Sequence, residues 1–360
     1  MQEKQKKQET ISLSPVNDAS AWRAADLRAD TSWIYRLTAE NIGDIDAALN
    51  SVTQRGLEFP QVQQQDFPLP TMQPLFRQLR EQVLRGRGFA LLKGLPVERY
   101  SDDEADMIFW GLGTYLGIAV TQNAAGELIS RVYDRGMDVR ERTVRGYQVR
   151  AELQMHCDNA DLFALLCLRR AKSGGKSLLT SSMSVYNEIL RNHPEYLGLL
   201  FSGFVYDHKN EEGPGESPVS PKIPVFSFCD GVLSCRFSRT YIINSPHSTG
   251  IALSAIDYQV LDYIHAVSLR EDLLFEFTMD PGDLQIGNNY TVFHGRNEYE
   301  DYPEPERKRA LLRLWLEVPD VRPMCNEAMR YGNIRFGNLG KSAAEWLAQQ
   351  DRPRQVEAAK

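Results

Sequence analysis

Several familiar signals are missing from this sequence. It has no apolar run long enough to span a bilayer, so no membrane partner is expected. The segment Met1–Thr10 is rich in Gln, Lys and Glu and lacks an apolar stretch, so it does not read as a secretory signal. Residues 1–20 are instead expected to form a flexible tail. The five cysteines, Cys157, Cys167, Cys229, Cys235 and Cys325, are odd in number and include no CxxC pair. Neither a disulfide framework nor a structural zinc site is expected, and a reducing cytoplasm is the natural setting. Basic residues are not in surplus: the net charge of -7 argues against a nucleic-acid surface as the main business of the chain. No internal repeat is present. The end of Gly174-Gly175-Lys176-Ser177 resembles a phosphate loop. That motif needs a glycine where Arg170 stands, which removes a nucleotide site.

What remains is a chain of 360 residues with 42% hydrophobic and 25% charged residues, ample for a sizeable core. Thr38 caps a helix carrying Ile42, Ile45, Leu49 and Val52 at helical spacing, with Gly56 as its stop. Pro74 suits the first turn of a second helix, and Ser101 with Glu104 forms a capping box for a third. These make a helical support region over residues 38–117, interrupted by one strand between Gly88 and Gly94. Strand-like runs dominate afterwards: Leu128–Val132, Leu162–Leu168, a hairpin turned at Asp230-Gly231, Leu273–Met279, Leu284–Ile286 and Arg309–Leu316. Helices are expected around Val185–Leu190 and after Ser254. Tyr206–Pro224, rich in Pro, Gly and charge, reads as a long surface insertion. The chain is read as irregular after Val318, with residues 341–360 as a tail. Short strands without regular βαβ alternation predict a mixed α+β fold with a decorated double-sheet core, in one domain over residues 21–340.

The stretch Met155-His156-Cys157-Asp158 carries the chemistry. In an extended segment His156 and Asp158 leave the same face while Cys157 leaves the other. A third ligand from far along the chain would complete a 2-His-1-carboxylate triad, and His294 is the candidate. Downstream, Arg309 and Arg313 share one face of a strand whose other face is Ala310, Leu312, Leu314 and Leu316. Gln122, Arg236, Arg239 and Asn289 are candidates for the lining of a substrate pocket, with structural roles as the alternative. The basic run Arg140, Arg142, Arg145 and Arg150 reads either as a solvated loop or as an anion-attracting rim.

Together, His156-Cys157-Asp158, Lys172–Ser177, Pro281-Gly282-Asp283, Phe293-His294-Gly295-Arg296 and Arg309–Arg313 resemble the TauD/TfdA family of Fe(II)/2-oxoglutarate-dependent dioxygenases, over roughly residues 80–320. The resemblance implies a double-stranded β-helix (jelly roll) with flanking helices and loop insertions. It places the iron and 2-oxoglutarate site within residues 150–318, with His156, Asp158 and His294 holding iron. Arg309 would pair with the distal carboxylate of 2-oxoglutarate, and Ser177 would add a hydrogen bond. Arg313 would support the cosubstrate or hold an anionic group of the substrate. Dioxygen is the other reactant. The carboxylate at Asp158 favours hydroxylation, desaturation or cyclisation over halogenation. The substrate is expected to be a small molecule, amino-acid-like or anionic. Monomer and homodimer are both compatible with the sequence. The alternative is a non-catalytic small-molecule-binding protein of the same fold.

Overall fold

The computed structural model describes residue 11 and residues 13–350, apart from 139, 320 and 332–334. The expected tail at Met1–Thr10 and the charged end at Asp351–Lys360 lie outside the described residues.

The N-terminal third is mostly helical: α1 (Ala24–Ala29), β1 (Ile34–Arg36), α2 (Ala39–Gln54), α3 (Gln73–Leu84), β2 (Phe89–Lys93) and α4 (Asp102–Gly113). The local reasons are those the sequence offers. The Thr38 hydroxyl accepts the Asn41 N–H at 3.2 Å, and Ser101 and Glu104 cap each other's backbone. Pro74 sits in the first turn of α3, where its missing N–H leaves no hydrogen bond unmade. The apolar stripes of α2, α3 and α4 meet Leu312, Leu314 and Leu316 in one core cluster.

The middle and C-terminal parts contribute β3 (Ile118–Val120), β4 (Ile129–Val132), β5 (Leu153–His156), β6 (Leu162–Arg169), β7 (Ser173–Gly174) and β8 (Ser177–Ser181). These are followed by α5 (Ser182–Asn192), α6 (Leu197–Ser202), β9 (Phe226–Cys229), β10 (Val232–Cys235), α7 (Arg239–Thr249) and α8 (Ala255–Ser268). Last come β11 (Phe275–Phe277), β12 (Leu284–Asn288), β13 (Val292–Arg296), β14 (Tyr299–Glu300), β15 (Ala310–Glu317), α9 (Glu327–Tyr331) and α10 (Ala343–Gln350).

Two main sheets result. The larger has the order β1-β2-β12-β6-β15-β3, with β4 also on β15; the smaller has the order β11-β8-β13-β5. In chain order, strands β4, β5, β6, β8, β11, β12, β13 and β15 fall in the large, small, large, small, small, large, small and large sheet, so the chain switches sheet at every step but β8 to β11. The sheets face each other: Phe163 of β6 stacks on His294 of β13 with centroids 4.0 Å apart, and Phe89 and Leu91 of β2 share a cluster with Leu179 and Val292. Behind the smaller sheet, Phe293, Met155 and Cys157 join α5 and α8 in a second core. The small sheet is thus covered on both faces, as its side-chain alternation requires.

The structure corrects the sequence reading in three places and adds one helix, α7, on which the sequence reading was silent. Residues 16–20 are anchored, because Val16 exchanges hydrogen bonds with the Asn187 side chain and Ser20 is buried. The segment after Val318 is not all irregular. α10 falls in the expected tail, and Trp346 packs on the main core. α7 has no strong apolar periodicity in sequence; it buries Ile242 and Ser245 and contains Pro246. Finally, Cys229 and Cys325 form a disulfide across 96 residues, leaving Cys157, Cys167 and Cys235 as free buried thiols. Neither count nor spacing announces a pair so far apart. Among the described residues, no helix is long and apolar enough to cross a membrane.

Candidate metal centre and its cavity

β5 and β13 run antiparallel with His156 directly opposite His294, which brings the ring centroids to 4.3 Å. The close approach depends on Gly295, where a Cβ would lie 2.7 Å from the Leu153 carbonyl oxygen. The ladder of β5 ends at His156, so Asp158 lies just past the strand rather than within it. Its carboxylate still converges: Oδ1 is 3.6 Å from His156 Nε2, and Oδ2 is 3.5 Å from His294 Nε2. One ligand atom from each residue lies within 4.8 Å of the other two, the only such group among the described residues. Cys157 points into the core behind the small sheet, as alternation predicts.

Hydrogen bonds around these side chains fix their state. His156 Nδ1 donates to the Gln154 carbonyl at 2.8 Å, which turns Nε2 toward Asp158 as the ligand nitrogen. Asp158 Oδ2 is buried without a hydrogen-bond partner. Burial alone would raise the Asp158 carboxyl, but Arg313 and the two imidazoles outweigh it and hold the group well below the usual carboxylate range. His294 is pushed down to about 4, first by burial and then by the positive charge of His156, against the pull of Asp158. At His156 the pull of Asp158 wins over burial and the shift is upward. An ionised carboxylate and a neutral imidazole sharing one point are what a divalent cation needs, and two nitrogens with one oxygen suit iron(II).

Asp158 is held by its backbone. Its N–H donates to Asn289 Oδ1 at 2.9 Å, and its carbonyl accepts from Arg236 Nη1 at 2.6 Å. Arg236 also reaches the Ala160 carbonyl at 3.2 Å and lies over the Tyr290 ring at 4.6 Å. The Tyr290 hydroxyl donates to Asp161. The expectation that Arg236 and Asn289 line the substrate pocket is therefore corrected: both grip the backbone behind the site. Gln122 is corrected likewise. It is fully buried, accepts Arg313 Nε at 2.7 Å, and donates to the Leu128 and Arg313 carbonyls.

A cavity of about 570 Å³ opens over His156 and Asp158. Arg313 forms part of its wall, 3.5 Å from Asp158 Oδ1 and within cation–π range of Tyr147 and Trp315. Arg239 also lines it and is paired with Asp262 at 2.6 Å. The basic loop supplies Arg142 and Arg145, and the insertion after Tyr206 supplies Lys209. Tyr147, Lys209, Tyr241 and Trp315 were not distinguishable in the sequence. They come from four segments that only the fold brings together.

Arg309, just before β15, and Arg313 within it lie outside the helical core cluster that takes Ala310, Leu312, Leu314 and Leu316. Arg309 and Ser177 line one small cavity with Gly175. Arg309 is buried, its Nη1 has no hydrogen-bond partner, and its guanidinium lies 5.1 Å from the Tyr299 centroid. A Cβ at Gly175 would approach Arg309 Nε to 3.3 Å, so glycine keeps space open beside that cation. A buried guanidinium with an unpaired N–H fits a carboxylate ligand.

A family model described as "Taurine catabolism dioxygenase TauD, TfdA family" matches residues 53–315. With the His-Asp-His group above, this makes the protein a non-haem iron dioxygenase. The chain belongs to the TauD/TfdA family, whose iron(II) and 2-oxoglutarate are its cofactor and cosubstrate. It is 32% identical to FR-33289 synthase of Streptomyces rubellomurinus, over 87% of this chain and 93% of the relative. Among solved structures it is similar to an asparagine oxygenase in complex with Fe(II), 3-hydroxyasparagine and succinate, with a TM-score of 0.62, 16% identity, and coverage of 79% of this chain and 93% of that one. It is also similar to the non-haem iron oxygenase OrfP in complex with Fe and alpha-ketoglutaric acid, with a TM-score of 0.56, 14% identity, and coverage of 79% and 94%. At those identities the two structures establish a shared fold.

Proposed function

We propose that this dioxygenase oxidises a C–H bond of a small anionic or amino-acid-like molecule, by hydroxylation, desaturation or cyclisation, in the cavity above His156 and Asp158. The two-sheet core is read as a double-stranded β-helix, on the strand alternation and facing sheets. The observation that carries the function is the convergence of His156, Asp158 and His294 on one point, with His156 and Asp158 lining a cavity with a cationic wall.

In this reading the three side chains hold iron(II). Arg309 takes the distal carboxylate of 2-oxoglutarate with a hydrogen bond from Ser177, and Gly175 keeps the approach clear. Bound iron and 2-oxoglutarate supply the oxidation: dioxygen and 2-oxoglutarate are consumed, succinate and carbon dioxide leave, and the substrate carbon is oxidised. The chain orients and excludes water. Arg313 holds Asp158 ionised and presents a buried Nη2 without a partner beside the cavity, suited to an anionic group. Arg239 contributes to the same positive wall. Arg236 and Asn289 set the position of the Asp158 backbone, and Gln122 that of Arg313. A small substrate agrees with the volume, which lies in the usual range for small-molecule sites. The similar asparagine oxygenase is in complex with 3-hydroxyasparagine, an amino acid, which supports the amino-acid-like option.

Anaerobic addition of iron(II) and 2-oxoglutarate should produce a weak visible charge-transfer band. Admission of air with a panel of anionic and amino-acid substrates should release succinate. Folded protein showing neither would refute the proposal in favour of a non-catalytic binding protein.

A further inference from the structure

The cavity wall contains a cation that the iron site does not use. Lys209 is only 4% exposed. Its ammonium donates to the carbonyls of Arg142 at 2.9 Å and Val144 at 3.1 Å, and lies 5.1 Å from the Tyr241 ring centroid. Among the described residues it makes no ion pair with a carboxylate, whereas its neighbours do: Arg142 pairs with Asp207 and Arg145 with Glu211. Arg142 and Arg145 thus each have a carboxylate in hydrogen-bond contact, and the buried Lys209 ammonium beside them does not. Burial and the two arginines, against Asp207, bring the Lys209 ammonium down to about 8.

Lys209 and Asn210 are the central residues of a tight turn closed by the Glu211 N–H donating to the His208 carbonyl at 3.1 Å. Lys209 and Asn210 both take left-handed conformations, with φ of 59° and 62°. Neither residue is glycine, so each conformation costs energy and persists only because neighbours over-determine it. The neighbours do so: Asp207 Oδ1 accepts the Lys209 N–H at 2.5 Å, and Arg142 holds both Asp207 and the Asn210 side chain. A buried ammonium with no carboxylate partner, on the wall of a substrate cavity, is a site for an oxyanion, which would supply the missing charge.

We propose that Lys209 is the specificity-determining residue of this enzyme and anchors an oxyanion group of the substrate, from the insertion that reaches the same cavity as His156 and Asp158. The inference rests on the proposed small-anion function. It adds which residue reads the charge, and it places the anionic end of the substrate on the side of the cavity bounded by Arg142, Arg145 and Tyr241.

The test uses the full chain loaded anaerobically with iron(II) and 2-oxoglutarate, with sulfate as the probe and calorimetric titration as the readout. The parent should bind sulfate. Lys209→Met should weaken that binding by about tenfold or more, as loss of a buried charge partner does. Lys209→Arg keeps the charge and should retain binding to within about threefold. The visible iron–2-oxoglutarate band should be unchanged in all three. Sulfate stays a dianion at alkaline pH. Parent affinity should therefore fall as pH rises through about 8, while the Lys209→Arg protein stays flat. The other charged groups near the ammonium are Arg142, Arg145 and Asp207, with Tyr241 beneath it, and none of these needs to titrate for that contrast. A parent that binds no sulfate overturns the proposal, as does a Lys209→Met protein that binds it unchanged. If Lys209→Met does not fold, the Lys209→Arg pH contrast decides alone, and identical profiles refute the inference. Loss of the visible band in the parent would instead refute the iron-site reading.

Discussion

Arg236→Met is the sharpest test of how the metal site is held. The guanidinium is 2% exposed and donates to the Asp158 carbonyl at 2.6 Å and the Ala160 carbonyl at 3.2 Å. Each hydrogen bond from a charged donor is worth about 1.5–3 kcal/mol, so their loss costs about 3–6 kcal/mol before relaxation. Methionine fills part of the volume but gives the two carbonyls no donor. The cost should divide between global stability and the position of Asp158. Groups that orient a metal ligand typically carry about 10–100-fold in metal affinity, and the expected loss of iron(II) affinity lies in that range. Anaerobic competition against a chelator measures the affinity, and urea unfolding of the metal-free protein measures the stability. Arg236→Lys should be intermediate, because an ammonium can donate to these carbonyls as the single Nη1 does, but it lacks the planar guanidinium that lies over the Tyr290 ring. If the methionine variant loses stability but binds iron(II) within about twofold of the parent, the link from Arg236 to the Asp158 carboxylate is refuted.

Three further outcomes are expected. Arg309→Leu should weaken 2-oxoglutarate binding by about 100-fold or more in a titration of the visible band, with iron affinity unchanged; Arg309→Lys should recover only part of it, and an unaltered titration would remove Arg309 from the cosubstrate site. Unfolded, unreduced protein should present three reactive thiols and reduced protein five, since one disulfide joins two of the five cysteines. Cys325→Ser should lower unfolding free energy by about 2–4 kcal/mol, and five thiols without reduction would contradict the pairing. Burial raises Asp106 to about 6, with Arg131 opposing it. Its folded value lies above its unfolded one, so its contribution to stability is complete below about pH 4 and is lost as pH rises through 6. Urea midpoints of Asp106→Asn should fall less than the parent's between pH 4 and 7, and parallel curves would refute the assignment.

The sequence by itself determined the elements whose causes are local. Helix caps at Thr38, Ser101 and Ser254 follow from hydrogen bonds three residues long, and the hairpin at Asp230-Gly231 from its turn residues. The division of β15 into an arginine face and a leucine face follows from a period of two. His156 and Asp158 could be paired because two residues of extended chain carry their own geometry. His294 came from its resemblance to a family motif, and the antiparallel register of β5 and β13 then put it opposite His156.

What only the tertiary structure decided depends on partners far apart in sequence. Arg236 and Asn289 are buried polar residues just past the ends of β10 and β12, and the sequence could not say whether they face a ligand or the backbone behind it. The fold turns both onto the segment beginning at Asp158. Cys229 and Cys325 meet because the hairpin and the segment before α9 come together. Lys209 looked like one more charge in a hydrophilic insertion. Its meaning appears only when Arg142, Arg145 and Tyr241, from two other segments, close around it and take it out of water. A side chain's type and local spacing are written in the sequence. Its burial and the charge it faces are sums over the whole fold, and those sums decide what the site can do.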